Sequence, residues 1–188
     1  MRKFINIFIV FILFVSCSQD YLPKPAGYYR IDLPEKKYQV YNSECPYKFE
    51  YPVYFNANKS DQINAEPCWL NLSFPAFKAK IHLSYKTVSA NINPLIEECR
   101  NLVYKHDIKA DAIDETIYSD SINKIYGTLY EIKGNAASSI QFYVTDSTKH
   151  FVRGALYFEV KPNKDSLAPV INFIEQDITH LIETLRWK

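Results

Sequence analysis

Glycine is scarce in this chain, with only 4 in 188 residues. There is no glycine-rich phosphate loop, no G-x-S-x-G elbow, no H-E-x-x-H helix and no paired C-x-x-C. Nucleotide cradling, the α/β-hydrolase nucleophile, zinc-peptidase chemistry and zinc-ribbon sites therefore lack their usual sequence carriers. A charge excess is also missing, since 22 Lys and Arg stand against 21 Asp and Glu. That balance leaves no basic footprint for nucleic acid, and no charge run is long enough to act as an interaction tail. Internal repeats and low-complexity tracts are absent, and the length suits one globular domain with a sizeable core. The one long apolar run, Phe4 to Val15, falls short of the roughly 20 residues that span a bilayer.

That run is still the most telling feature. Arg2 and Lys3 precede it, the small Ser16 closes it, and Cys17 follows. The charged, apolar and small-residue order is that of a secretory signal, and a cysteine just after the cut is the lipoprotein arrangement. Cleavage ahead of Cys17 leaves its sulfur and new α-amine to carry acyl chains such as palmitate. Phe14, third before the cysteine, departs from the usual Leu, Val or Ile. Each buried methylene contributes about 0.8 kcal/mol, so two or three chains hold a protein on a membrane surface without crossing it. The expected organisation is a signal peptide over 1–16, a lipid-anchored tether over 17–27, and a globular domain over 28–188. The domain is expected to face the periplasm, with the outer membrane preferred over the inner.

Export implies an oxidising compartment, where two of Cys45, Cys68 and Cys99 should pair. Cys99 lies on the apolar stripe of an expected helix, where a free cysteine acts as a small hydrophobe. Cys45 and Cys68 both adjoin proline at the starts of strand-like runs, and are the expected disulfide.

Aromatic residues are plentiful, 15 Tyr and 12 Phe, and they favour strands. Alternation predicts strands over Tyr28–Leu33, Tyr47–Phe55, Trp69–Phe74 and Ala79–Tyr85, with an exposed loop over 56–66. Pro52 suggests an edge position or a bulge. The period then becomes helical at Ile92, Leu95, Ile96, Cys99, Leu102 and Val103, with Asn93 as expected N-cap and Pro94 behind it. Four more strands follow, near Ala112–Tyr118, Lys124–Ile132, Ser139–Thr145 and Phe151–Val160. A second helix, opened by Pro169, carries Ile171, Ile174, Ile178, Leu181, Ile182 and Leu185. The fold class is α+β, an antiparallel sheet with two main helices packed on its faces.

Candidate chemistry is thin. His82, His106, His150 and His180 are dispersed without ligand spacing, so no metal site and no cofactor are expected. Ser138, Ser139, Asp146 and His150 supply the residue types of a hydrolytic triad. Ordinary turn chemistry accounts for Asp146 and His150, and no strained turn presents the serines, so no catalytic residue is assigned. The polar stretch after the first helix, with Lys105, His106, Lys109 and Asp111, is a candidate partner surface. Arg153 joins it as a charge set among aromatic strand residues, able to pair with an acid, stack on Tyr or touch a partner.

These stretches resemble a known family, the GldD-type gliding motility lipoproteins of Bacteroidota. The resemblance is carried by YLPKPAGYYRIDLP from Tyr21 to Pro34, CPYKFEYP from Cys45 to Pro52, PCW from Pro67 to Trp69 and IHLSYK from Ile81 to Lys86. It continues in YKHDIKADAI from Tyr104 to Ile113, GNAASSIQFY from Gly134 to Tyr143, RGALYF from Arg153 to Phe158 and DSLAPVI from Asp165 to Ile171. It implies an accessory role in the gliding machinery and type 9 protein secretion, through contacts with protein components of both and with the membrane through its lipid. It implies no defined reaction. The element order also resembles the PsbP/Mog1 α-β-α sandwich. The rival expectations are a small-ligand or lipid carrier, which needs a large apolar cavity, and a hydrolase using Ser139 and His150.

Overall fold

Antiparallel pairing joins every strand of this fold, as the alternating runs require. A computed structural model describes residues 31–188. The signal peptide, Cys17, the tether and Tyr28–Arg30 lie outside the described residues. The elements are β1 (Tyr38–Asn42), β2 (Tyr47–Pro52), β3 (Asn56–Lys59), β4 (Leu70–Phe74), β5 (Ala79–Thr87) and α1 (Ile92–Tyr104). Then come β6 (Ala110–Asp120), β7 (Ile125–Gly134), β8 (Ser138–Thr145), β9 (His150–Phe158), α2 (Lys164–Thr184) and β10 (Arg186–Trp187). A seven-stranded sheet runs β3-β4-β5-β9-β8-β7-β6, and a three-stranded sheet runs β1-β2-β10. Every ladder is antiparallel.

The period of two along each strand sorts side chains onto two faces. Ile81 and Leu83 of β5, Ile140, Phe142 and Val144 of β8, and Val152 and Leu156 of β9 share one cluster with Val170, Ile174, Ile178 and Leu181 of α2. Tyr47 and Phe49 of β2 join it, which ties the small sheet to the same core. Ile140, Leu156, Ile174, Ile178 and Leu185 are all 0% exposed. Burying each such side chain contributes about 1.5–3 kcal/mol. Gly154 exists for this layer: a Cβ there would lie 2.2 Å from the Phe142 ring.

The opposite face is covered by α1 and is less continuous. Val88, Leu95, Cys99 and Phe151 form one small cluster. Val103, Tyr130, Ile132 and Ala136 form another.

Cys45 and Cys68 are joined, 5.5 Å apart between Cα atoms, tying the turn before β2 to the start of β4. A loop of that size is worth about 3 kcal/mol in the chain-entropy picture. Cys99 is free and buried, and burial pushes its thiol up to about 12, which keeps it unreactive.

Several expectations need correction. Residues 31–33 are irregular, not strand, and the first described strand is β1. Residues 56–59 are an edge strand rather than loop, recruited by pairing with β4 despite their polar sequence. Pro52 ends a central strand, β2, where no further ladder bond is needed. The N-cap of α1 is Asn91, not Asn93, and its side chain accepts from Ser89 N at 2.7 Å. Helix α2 starts well before Pro169, at an Asn163 cap whose side chain accepts from Ser166 N. Pro169 sits inside the helix, past its first turn, and leaves the Asp165 carbonyl without its usual intrahelical donor.

Candidate functional site

The site region is built where α1 runs out. Lys105 caps the helix, a single 3₁₀ turn over Asp107–Lys109 follows, and β6 begins at Ala110. Gly134 makes this junction possible. It has φ +111, and a Cβ there would lie 2.8 Å from Lys109 O and from Asp111 N. Only glycine lets β7 end so close to the turning chain.

The structure brings three of the candidate surface residues together and sends one elsewhere. Lys105, His106 and Lys109 line a recess of about 210 Å³ with Asn135, Ala136 and Ala137. Asp111 turns away and pairs with Lys164 at 2.6 Å, beside a different recess bordered by Gly134 and Glu175. Arg153, on β9, lies on the α1 side of the sheet and does not line that recess. It donates through Nη2 to Gln141 Oε1 at 2.6 Å. Burial and the Arg153 charge together hold the His106 pKa below its ordinary 6.5.

Gln141 was not legible as a site residue. It is 1% exposed, and its Nε2 finds no acceptor among the described residues. A neighbouring relay was also missed. His82 Nδ1 meets Asn71 Oδ1 at 2.7 Å, and Asn71 Nδ2 donates to Asp61 Oδ1 at 2.8 Å. Burial and then the Lys80 charge lower the His82 pKa. A polar residue at an otherwise apolar strand position was the available signal in both places.

The second missed cluster lies on the α2 side. Asp177 is 2% exposed and accepts from Lys36 Nζ at 2.6 Å, Tyr38 OH at 3.0 Å and Tyr54 OH at 2.8 Å. Lys36 also donates to Phe173 O at 2.6 Å and lies 3.5 Å from the Phe173 ring centroid. The cluster staples the first described residues onto α2. Burial, with the Asp177 charge and hydrogen bond, pushes Tyr38 up to about 12.

The residues of the supposed triad do not converge. Asp146 accepts from the backbone N–H groups of Thr148, Lys149 and His150, closing the β8–β9 turn. His150 Nδ1 meets Tyr85 OH at 2.8 Å, and its ring stacks on Trp187. Ser138 Oγ donates to Ile140 O. Ser139 lies at the far end of β8, roughly 20 Å from His150 at about 3.4 Å per residue. The carrier expectation placed a cavity in the core, but the layer between sheet and α2 is filled by the fully buried side chains named above. Among the described residues no group of His, Cys, Asp and Glu is arranged to hold a metal, and no helix is long and apolar enough to cross a membrane.

Comparison with known proteins adds a family. The family model described as gliding motility lipoprotein GldD matches residues 18–187, and the chain belongs to that family. No curated protein matches the chain. Among solved structures, the solution structure of cyanobacterial PsbP (CyanoP) from Synechocystis sp. PCC 6803 matches at 9% identity and a TM-score of 0.49, covering 85% of this chain and 98% of that one. The α+β class stands on the strand pairing and the two helices themselves.

Proposed function

We propose, from membership of the gliding motility lipoprotein family, that this protein is a lipid-anchored accessory component of the cell envelope. It supports the gliding machinery and type 9 protein secretion by binding other envelope proteins, and carries out no reaction of its own. In this reading Cys17 holds the acyl chains, residues 17–27 are the tether, and the body over 28–188 faces the periplasm. Anchoring raises the local concentration of the body near membrane partners, and the tether sets its reach.

One observation carries the binding role. Strand β6 is the last strand of the large sheet, 11 residues long, so its outer edge has no strand partner among the described residues. Ile117 on it is 78% exposed, and Ile108 and Ile122 at its two ends are 94% and 90% exposed. A long open edge with apolar side chains is the geometry of strand addition by a partner.

The test is site-specific photocrosslinking in native cells, with the probe at Ile117 or, as control, at Ile63, which is 102% exposed. Defined gliding or secretion components captured from Ile117 and not from Ile63 are the expected result. Equal capture from both, with motility and secretion intact after deletion of the gene, overturns the reading.

A further inference from the structure

A recess of about 430 Å³ opens at the end of the large sheet where β9 begins. Lys124, Lys149, Arg186 and Lys188 line it, with Ile122 and Trp187 beside them. The four cations come from the β6–β7 turn, the β8–β9 turn and the β10 segment, which only the fold brings together. None of them has an ion-pair partner among the described residues. The one acid in the lining is Asp146, and its carboxylate is spent on the N–H groups of Thr148, Lys149 and His150. Asp120, outside the lining, accepts from Asn123 and Ile122, and the Arg186 charge is the weakest influence on its titration. Counting Asp146 and an α-carboxylate at Lys188 against the four cations still leaves a positive excess.

Solvated lysines are ordinary on a protein surface, but two further features set this recess apart. Arg186 stands directly opposite Lys48 in the β2–β10 ladder, and neither has an acid in ion-pair contact. Like charges so placed on neighbouring strands destabilise the sheet. The frame that carries the cations is also fixed. Trp187 Nε1 donates to Lys124 O at 3.0 Å, and Lys188 N donates to Pro46 O at 3.0 Å. Arg186 Nη1 donates to Glu183 O at 2.8 Å and Leu185 O at 2.6 Å, and Lys188 Nζ donates to Ser43 O. The His150 ring stacks on Trp187 with centroids 5.1 Å apart. Positive charge is thus held together at a cost in stability, which a partner of opposite charge offsets.

We infer that this recess docks an acidic segment of a partner protein, its carboxylates on the four cations and an apolar side chain against Ile122 and Trp187. Carboxylates suit Arg and Lys donors, and Ile122 is 90% exposed and free to be covered. Position favours a protein over the anchoring membrane, an argument that rests on the lipid-anchor reading above. The chain leading back to Cys17 meets the body at the other end, where Asp32, Leu33 and Pro34 border Phe74, Pro75 and Phe77. From that end the β5–β9 ladder runs from Ala79↔Phe158 to Thr87↔His150 at the recess. Strand β5 is 9 residues long, so the two ends lie roughly 30 Å apart at about 3.4 Å per residue. The recess is therefore remote from the point of attachment.

The full chain, purified in detergent, is titrated with a peptide of Glu interrupted by Leu, with the same peptide carrying Gln for Glu, and with dihexanoyl phosphatidylglycerol. The chain holds 2 Trp, and Trp69 lines a different recess, so its indole N–H signal is an internal control for that of Trp187. The expected result is a saturable Trp187 shift with the Glu peptide, none with the Gln peptide, a still Trp69 signal, and affinity that falls as salt rises. Lys124→Gln with Lys149→Gln changes only exposed side chains and should leave the urea midpoint unchanged. It should weaken binding at least about tenfold, the loss expected for a charge-assisted hydrogen bond. Lys48→Glu sets an acid opposite Arg186, and should raise the urea midpoint while weakening peptide binding. A merely structural role for these cations would not move the two in opposite directions. No saturable Trp187 shift, an equal response to the Gln peptide, unchanged affinity in the double variant, or tighter binding of phosphatidylglycerol than of the Glu peptide overturns the inference. Each of these outcomes is read separately from crosslinking at Ile117, so either docking surface can fail while the other stands.

Discussion

The two faces of the seven-stranded sheet are made from the same strands and do different work. Toward α2 the strands present Ile, Leu, Val and Phe in one cluster that also takes in β2. Toward α1 the same strands present Gln141, Tyr143, Thr145, Arg153 and His82, and the apolar contacts split into two small groups. Phe142 and Tyr143 show the contrast within one peptide unit: the first is 1% exposed under α2, and the second is half-buried under α1. A sheet can therefore concentrate its cohesion on one side and keep polar chemistry on the other, since a period of two keeps the sets apart.

The sharpest way to break this contrast is at Asp177, the polar residue inside the cohesive face. Asp177→Ala leaves two tyrosine hydroxyls without their acceptor and the Lys36 ammonium with only the Phe173 carbonyl, and should cost about 3–5 kcal/mol in urea unfolding. A loss below about 1 kcal/mol, the size of one ordinary hydrogen bond, would mean the staple contributes little. Next in size is Gly154→Ala, which drives a methyl into the Phe142 ring and should cost about 1–3 kcal/mol by overpacking. Its counterpart on the α1 side is Tyr143→Phe, which removes the acceptor of the Thr128 Oγ1 hydrogen bond and should cost about 1 kcal/mol. Equal costs for the two would erase the distinction between the faces.

The smallest effect is in pH. Folded His82 and His106 both titrate below 6.5, so the unfolded chain takes up their protons first. Stability from these groups is whole above about 6.5 and declines as pH falls below it. Asp146 behaves differently. Burial raises its pKa, but the backbone N–H groups of His150, Lys149 and Thr148 outweigh this and bring it to about 2 from 3.8. The β8–β9 turn should therefore hold until pH falls below about 4. Hydrogen-exchange protection factors, taken relative to the intrinsic rate at each pH, should fall between pH 7 and 5 in α1 and β5 while those of the Asp146 turn hold. Uniform loss across both faces is the result that contradicts this.

The sequence was most readable where one period ran uninterrupted. The stripe of Ile92, Leu95, Cys99 and Val103 located α1, and alternation located β4, β5 and β7 to β9 within a residue or two. It failed where pairing alone makes the strand. Asn56–Lys59 has no apolar alternation and is held by β4, and Arg186–Trp187 is too short to carry a pattern. The site was half readable. Lys105, His106 and Lys109 stand out as a polar cluster after a helix, but Asp111 looked like one of them and faces Lys164 instead. Gln141 and Asp177 were hidden because single polar residues within apolar patterns take their meaning from partners on other elements, here Arg153 on β9 and Lys36 before β1.

The Lys36–Asp177 staple also bears on mechanics. Tension that arrives from the amino-terminal side meets Lys36 before the first strand of the described residues, and Asp177 passes the load directly to α2. Only when that grip slips does the pull reach β1, the outermost strand of the small sheet. A body pulled through that end would thus shed an edge and keep its core.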